Sequence, residues 1–136
     1  MSEVLHTANI SFHTNDEDKD GDTQVVITLR DNNRIIFAKL ASNFGHFNDH
    51  SDTGPFDLEI RNKRTIEQIN NGYMVIRINP NGNDTWRFDF DLRLDFLDKS
   101  ENTITTLSGG KEGLELNQNG RQETFYFNDI FFTDPE

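Results

Sequence analysis

The sequence predicts an all-β fold: an antiparallel β-sandwich of about eight strands, with residues 1–136 forming a single domain. Residues 86–96 alternate without a break between apolar and charged side chains, which is the period of a strand. Short alternating segments separated by turn residues recur along the rest of the chain. The long strand leaves six large apolar side chains on one face, and a second sheet must cover them.

Strands of the N-terminal half are predicted from the same alternation. They lie at residues 4–13, 24–30, 34–40 and 56–60. The second and third form a hairpin across the turn Asp31-Asn32-Asn33. Residues 41–55, rich in Asn, Asp, His and Gly, are predicted to be a polar loop.

Strands of the C-terminal half follow one ambiguous segment. Residues 61–71 fit either one helical turn or an irregular strand, because Ile66 and Ile69 are three positions apart. A break is expected at Gly109-Gly110. Alternation predicts strands at residues 73–79, 86–96, 103–107, 113–117 and 123–132.

Composition excludes several classes of function. The chain has no cysteine, which excludes disulfides and thiolate metal sites. A net charge of −11 argues against nucleic-acid binding, which needs clustered cations. No apolar run is long enough for a transmembrane segment, and the first residues lack the pattern of a cleaved signal peptide. We therefore expect a soluble protein, with a cytoplasmic location favoured.

The most acidic segment lies between the first two predicted strands. Four aspartates alternate around Gly21, namely Asp16, Asp18, Asp20 and Asp22. This is the first half of an EF-hand calcium loop, but the twelfth position is Ile27 instead of Glu, so an EF-hand is rejected. Carboxylates at alternate positions can still converge on Ca²⁺, which takes roughly six to eight oxygen ligands. The alternative is a solvated acidic turn.

A second oxygen-rich turn directly precedes the long strand and contains Asn81 and Asp84. Its oxygens can share a site with the acidic loop only if both lie at the same end of the sandwich. That requires the strands that lead into them, residues 4–13 and 73–79, to run in the same direction.

The order of these segments resembles a PLAT/LH2 domain, a C2-like β-sandwich, over residues 7–98. Asn15 departs from the family's usual Gly, and the family's second Trp near the C-terminus is missing. The resemblance implies calcium bound between the loops at Asp16 and Asp84, and docking to membranes or proteins. The segments that carry it are Thr14-Asn15-Asp16, Gly21-Asp22-Thr23, Phe56-Asp57-Leu58, Met74 to Ile78, Asn81 to Asp84 and Trp86.

Two phenylalanines, Phe44 and Phe47, lie in the polar loop at residues 41–55. If that loop is beside the acidic loop, their rings can insert into a bilayer or contact a partner after calcium binds. The alternative, that they close the end of the sandwich, is favoured because Phe is a core residue more often than a contact residue.

The leading hypothesis is a calcium-binding interaction module that contacts a protein or a lipid headgroup through Ca²⁺ and is not an enzyme. The predicted metal ligands are Asp16, Asp18, Asp20, Asp22, Asn81 and Asp84. One alternative is a carbohydrate-binding module with structural calcium, which exposed aromatic residues on one sheet would indicate. The other is a structural or assembly protein of a toxin or particle.

Overall fold

Two antiparallel sheets make up the computed structural model, which describes residues 4–16, 19, 21, 23–44, 46–80, 82, 84–97 and 104–130. The strands are β1 (Val4–Thr14), β2 (Gln24–Arg30), β3 (Ile36–Ser42), β4 (Asp52–Asp57), β5 (Glu59–Ile60), β6 (Tyr73–Asn79), β7 (Thr85–Leu97), β8 (Ile104–Asn117) and β9 (Gln122–Tyr126). One sheet has the order β4-β1-β7-β8, and the other has the order β5-β3-β2-β6-β9. The predicted all-β sandwich is confirmed, with nine strands in the described part of the chain.

The inward face of β7 forms the centre of the core, as its alternation predicts. All six of its apolar side chains are at most 2% exposed, namely Trp86, Phe88, Phe90, Leu92, Leu94 and Phe96. The opposite sheet contributes buried side chains from its neighbouring interior strands β2 and β6, namely Val25, Ile27, Leu29, Met74, Ile76 and Ile78. At about 25 cal/mol per Å² of apolar surface, this burial is the main stabilising contribution to the fold.

The predicted strand at residues 56–60 is two strands in different sheets. The chain leaves β4 after Asp57 and enters β5 at Glu59, so it crosses between the sheets at Leu58. Leu58 is buried at this crossing. Apolar side chains alternate without a break from Phe56 to Ile60, so the sequence pattern predicts one strand and gives no sign of the crossing. β4 also begins at Asp52, inside the segment predicted to be a loop.

The break predicted at Gly109-Gly110 is wrong, because β8 is continuous through both glycines. A Cβ atom on Gly110 would lie 1.8 Å from the carbonyl oxygen of Phe90 on β7. The pairing of β7 with β8 also shifts register between Phe88 and Phe90. The glycine therefore allows a close approach of two backbones instead of ending the strand.

Two short helices replace segments that were ambiguous or predicted as strand. Helix α1 (Ile66–Ile69) begins at a capping box, in which Thr65 and Gln68 each accept the other's backbone N–H. Helix α2 (Phe127–Ile130) ends the predicted strand at residues 123–132 early, and residues 131 and 132 lie outside the described part. Within that part, no helix has the length and apolar character needed to cross a membrane.

The turn between β2 and β3 is organised by the carboxylate of Asp31, which is 3% exposed. Its Oδ1 accepts hydrogen bonds from the backbone N–H groups of Asn33 (2.8 Å) and Ile35 (3.0 Å), and its Oδ2 accepts one from Arg64 Nε (3.0 Å). Burial by itself raises the pKa of Asp31, but the hydrogen bonds from Ile35, Arg64 and Asn33 together outweigh it and hold that pKa below its usual value.

Asp31 therefore stabilises the fold in its charged form. We expect Asp31→Asn to lower the free energy of unfolding by about 1–3 kcal/mol near pH 7, because the charged hydrogen bond from Arg64 is lost. A lowered pKa gives stability that is present above the unfolded-state value of 3.8 and is lost as the pH falls through the folded-state value. Urea denaturation across acidic pH should show the difference from wild type shrinking, and a pH-independent difference would contradict this role.

Gly110 provides a test of the β7–β8 contact. We expect Gly110→Ala to lower the free energy of unfolding by about 1–3 kcal/mol or more, since the new methyl group meets backbone atoms that cannot easily move. Gly120→Ala is the matched control, because its Cβ would have only Asn117 Oδ1 nearby, at 3.9 Å. Equal stability of the two variants in urea denaturation would show that β8 relaxes freely.

Candidate functional site at the loop end

The described residues of the acidic loop at residues 15–23 and of the turn at residues 80–84 lie at the same end of the sandwich. The hydroxyl of Thr23 donates a hydrogen bond of 2.6 Å to Asp84 Oδ2, which joins the two segments directly. Nearby, Trp86 Nε1 donates to Thr14 Oγ1 over 3.1 Å, which ties the start of β7 to the end of β1. The shared end that the proposed site requires is therefore confirmed.

Two of the six predicted metal ligands lie in the described part of the chain. Asp16 is exposed, and its Oδ2 is 3.3 Å from Arg87 Nη1. Asp84 is 8% exposed, and its backbone N–H donates to Gln118 Oε1 over 3.3 Å. The other four lie outside the described residues, namely Asp18, Asp20, Asp22 and Asn81. The described residues alone contain no group of three or more His, Asp or Glu side chains arranged to hold a metal ion.

A buried cation, Lys19, lies inside the acidic loop. Its side chain is fully buried, and Nζ donates to the carbonyl oxygens of Asn43 (2.7 Å) and Thr23 (3.1 Å). Nζ also lies 4.8 Å from the centroid of the Phe47 ring, within the range of a cation–π contact. The ammonium group therefore joins the acidic loop to the segment after β3.

The backbone reinforces this connection. The N–H of Lys19 donates to the carbonyl of Phe47 (3.1 Å), and the N–H of Phe47 donates to the carbonyl of Lys19 (3.0 Å). On the other side of the loop, the N–H of Asn15 donates to the carbonyl of Arg87 over 2.8 Å. The acidic loop is thus attached to both neighbouring segments by its own main chain.

Arg87 places a second cation beside the acidic loop. Its Nε donates to Glu115 Oε1 over 2.9 Å, and its Nη1 contacts Asp16. These carboxylates, Glu115 first, raise the pKa of Arg87, and Arg87 lowers the pKa of Glu115. The side chains of this group are largely exposed, so water and salt screen the attraction and the ion pairs add little stability.

An aromatic cluster closes the sandwich beneath these loops. Phe12 lies at its centre, with five ring centroids within 6.3 Å, those of Phe44, Phe47, Phe56, Trp86 and Phe88. Phe47 is 1% exposed, and Phe44 is half-buried against the core. Both rings therefore pack at the end of the sandwich, which is the alternative that the sequence favoured. Phe47 would have to leave the core to contact a membrane.

Sequence reasoning missed Lys19. A single lysine among five carboxylates at residues 16–22 is usually a solvated counter-charge, and no local pattern marks this one as buried. Its burial depends on Asn43 and Phe47, which follow it by more than twenty positions. The clearest available signal was Phe47 itself, an apolar ring in an otherwise polar segment.

Comparisons with protein-family models, with curated proteins and with solved structures find no match for this chain. The resemblance to a PLAT/LH2 domain therefore stays a prediction. The function is inferred from the chain's own residues.

The buried ammonium of Lys19 gives a direct test of how the loop is held. We expect Lys19→Met, which keeps the apolar stem, to lower the free energy of unfolding by about 1–3 kcal/mol, because the buried carbonyl of Thr23 and the partly buried carbonyl of Asn43 lose their donor. Lys111→Met is the matched control, since Lys111 is exposed on β8. Equal urea denaturation midpoints for the two variants would contradict a structural role for the Lys19 ammonium.

Proposed function

We propose that this chain is a non-catalytic, calcium-binding interaction module whose loop end uses Ca²⁺ to contact a protein or a lipid headgroup. The observation that carries the proposal is the hydrogen bond between Thr23 and Asp84. It brings a carboxylate of the second turn against Thr23 at the end of the acidic loop. The PLAT/LH2 resemblance points to the same pair of loops.

The chemistry of the donor set suits calcium. Asp84 is held in a fixed position by Thr23, and Asp16 lies at the start of the same loop. Carboxylate, amide and backbone carbonyl oxygens are the ligands that Ca²⁺ takes in proteins. In this proposal the remaining ligands are Asp18, Asp20, Asp22 and Asn81.

Charge provides the driving force. Residues 16–22 contain five carboxylates against the single ammonium group of Lys19, which leaves four negative charges near neutral pH. Lys19 Nζ donates hydrogen bonds to the carbonyl oxygens of Thr23 and Asn43. One ammonium group does not balance the charge of five carboxylates. A divalent cation relieves the remaining repulsion and creates a local positive potential, which attracts phosphate groups or acidic protein surfaces.

The packing of the two rings suggests different roles for them in this proposal. Phe44 is half-buried at the loop end, so part of its side chain is accessible to a partner. Phe47 is buried and packs against Lys19. Phe44 is therefore the ring that contacts a partner, and Phe47 supports the loop.

Calcium titration tests the proposal. We expect calorimetry on metal-stripped protein to show binding in the micromolar to millimolar range, with a rise in melting temperature, because a ligand that binds only the folded state stabilises it. A double variant, Asp18→Asn with Asp20→Asn, should lose both effects. The matched control is Asp91→Asn, since Asp91 is exposed on the outer face of β7 and has no hydrogen-bond or ion-pair partner in the described part of the chain.

Absence of heat and of any melting shift up to millimolar calcium would contradict the proposal. Lys19 and Arg87 would then be sufficient counter-charges for the loop. Equal calcium binding by both variants and wild type would also contradict it, because the site would lie elsewhere.

A further inference from the structure

The outer face of the five-stranded sheet carries both tyrosines of the chain side by side. Tyr73 on β6 pairs in register with Tyr126 on β9, and their ring centroids are 5.6 Å apart. Tyr126 is 52% exposed, which makes it one of the few large exposed aromatic or apolar side chains of the described part. Tyr126 is exposed and Tyr73 is half-buried beside it, so the pair presents aromatic surface next to valine, threonine and arginine side chains.

Cations without carboxylate partners in the described part of the chain lie on the same face as this pair. Arg30 pairs in register with Tyr73, and Arg77 and Lys39 lie on the same face, against one carboxylate, Glu59. Within the described residues none of the three cations forms an ion pair, and Glu59 is itself paired with Arg61. The face is therefore locally cationic in a protein with a net charge of −11.

The opposite sheet shows the contrast. Its outward arginines are both neutralised, since Arg87 contacts Asp16 and Glu115, and Arg93 contacts Asp95 at 3.2 Å. Attraction or repulsion between exposed charges that lie farther apart than a Debye length of about 8 Å is largely screened at physiological salt. The local cations, and not the net charge, decide which ligands the tyrosine face attracts.

The centre of the face is a depression of about 390 Å³. Its floor consists of small side chains, Val26, Thr28, Val75 and Thr124, with Tyr73 and Arg77 beside it. Arg30 Nε is a buried donor without an acceptor in the described part. An anionic ligand that drew this guanidinium outward would supply the missing acceptor.

We propose that this face binds an acidic oligosaccharide, a glycan that carries uronate carboxylates. The C–H groups of a sugar ring pack on the negative faces of the tyrosine rings, and its carboxylates pair with Arg30 and Arg77. The hydroxyls of Thr28 and Thr124 provide hydrogen bonds to sugar hydroxyls. This activity is independent of the calcium site, which lies at the loop end.

An acidic peptide fits the face less well. A peptide strand binds a sheet by pairing with an open edge, which on this side of the sheet is β9, the strand that carries Tyr126. Arg30 and Arg77 lie on β2 and β6, which are interior strands whose backbone groups are already paired on both sides. The floor consists of two valines and two threonines, so half of its side chains present a hydroxyl group. Rings, guanidinium groups and hydroxyls arranged around a shallow depression suit a carbohydrate.

Calorimetric titration with galacturonate oligosaccharides in the presence of EDTA tests this proposal separately from calcium binding. We expect binding to the wild-type protein and at least about tenfold weaker binding after Tyr126→Ala or Arg77→Gln, since the first removes a ring that packs on the sugar and the second removes a charge that pairs with its carboxylate. Arg93→Gln on the opposite sheet is the matched control and should bind like wild type. Neutral cello-oligosaccharides should bind more weakly, because they lack the carboxylates.

Three results would overturn the proposal. These are the absence of galacturonate binding, equal binding by all three variants, and equally tight binding of polyglutamate, which would assign the face to acidic peptides or to charge alone. Unchanged melting temperatures of Tyr126→Ala and Arg77→Gln establish that the variants are folded, so that a loss of binding is a loss of contact.

Discussion

The unbroken apolar face of β7 is the constraint on which the rest of the structure depends. Its six inward side chains can be buried only under a second sheet, so the chain must place β2 and β6 across from them. The positions of the strands then decide where the described residues between them lie. The acidic loop and the turn before β7 meet at one end because the strands beside them meet there.

The loop end shows how a core can shape a charged surface. Trp86 and Phe12 fill the end of the sandwich, Phe47 packs against them, and Lys19 packs on Phe47. The acidic loop is therefore held from below by an aromatic cluster and an internal cation. In the proposed function, the fixed position of Lys19 reduces the conformational entropy that its neighbours lose when a metal ion binds.

Much of the fold could be predicted from sequence because strand alternation is a local signal. It identified β7 and β6 almost to the residue. It failed at Leu58, where the chain crosses between the sheets, and at Gly110, where a glycine lies within a continuous strand. Lys19 and the tyrosine face were beyond reach for a different reason. Parity places Tyr73 and Tyr126 outward, but only the pairing of β6 with β9 brings them together, and no local pattern encodes that pairing.

The central claim is that the core and Lys19 hold the acidic loop in place before any ligand binds. Amide hydrogen exchange of the metal-stripped protein tests it most directly, at the N–H groups of Lys19 and Phe47, which bond to each other's carbonyl groups. The account predicts that both amides exchange far more slowly than unprotected amides do, since both are hydrogen-bonded in a buried bridge. Exchange at the rate of an unstructured chain would contradict it and would mean that the loop is not ordered without a ligand.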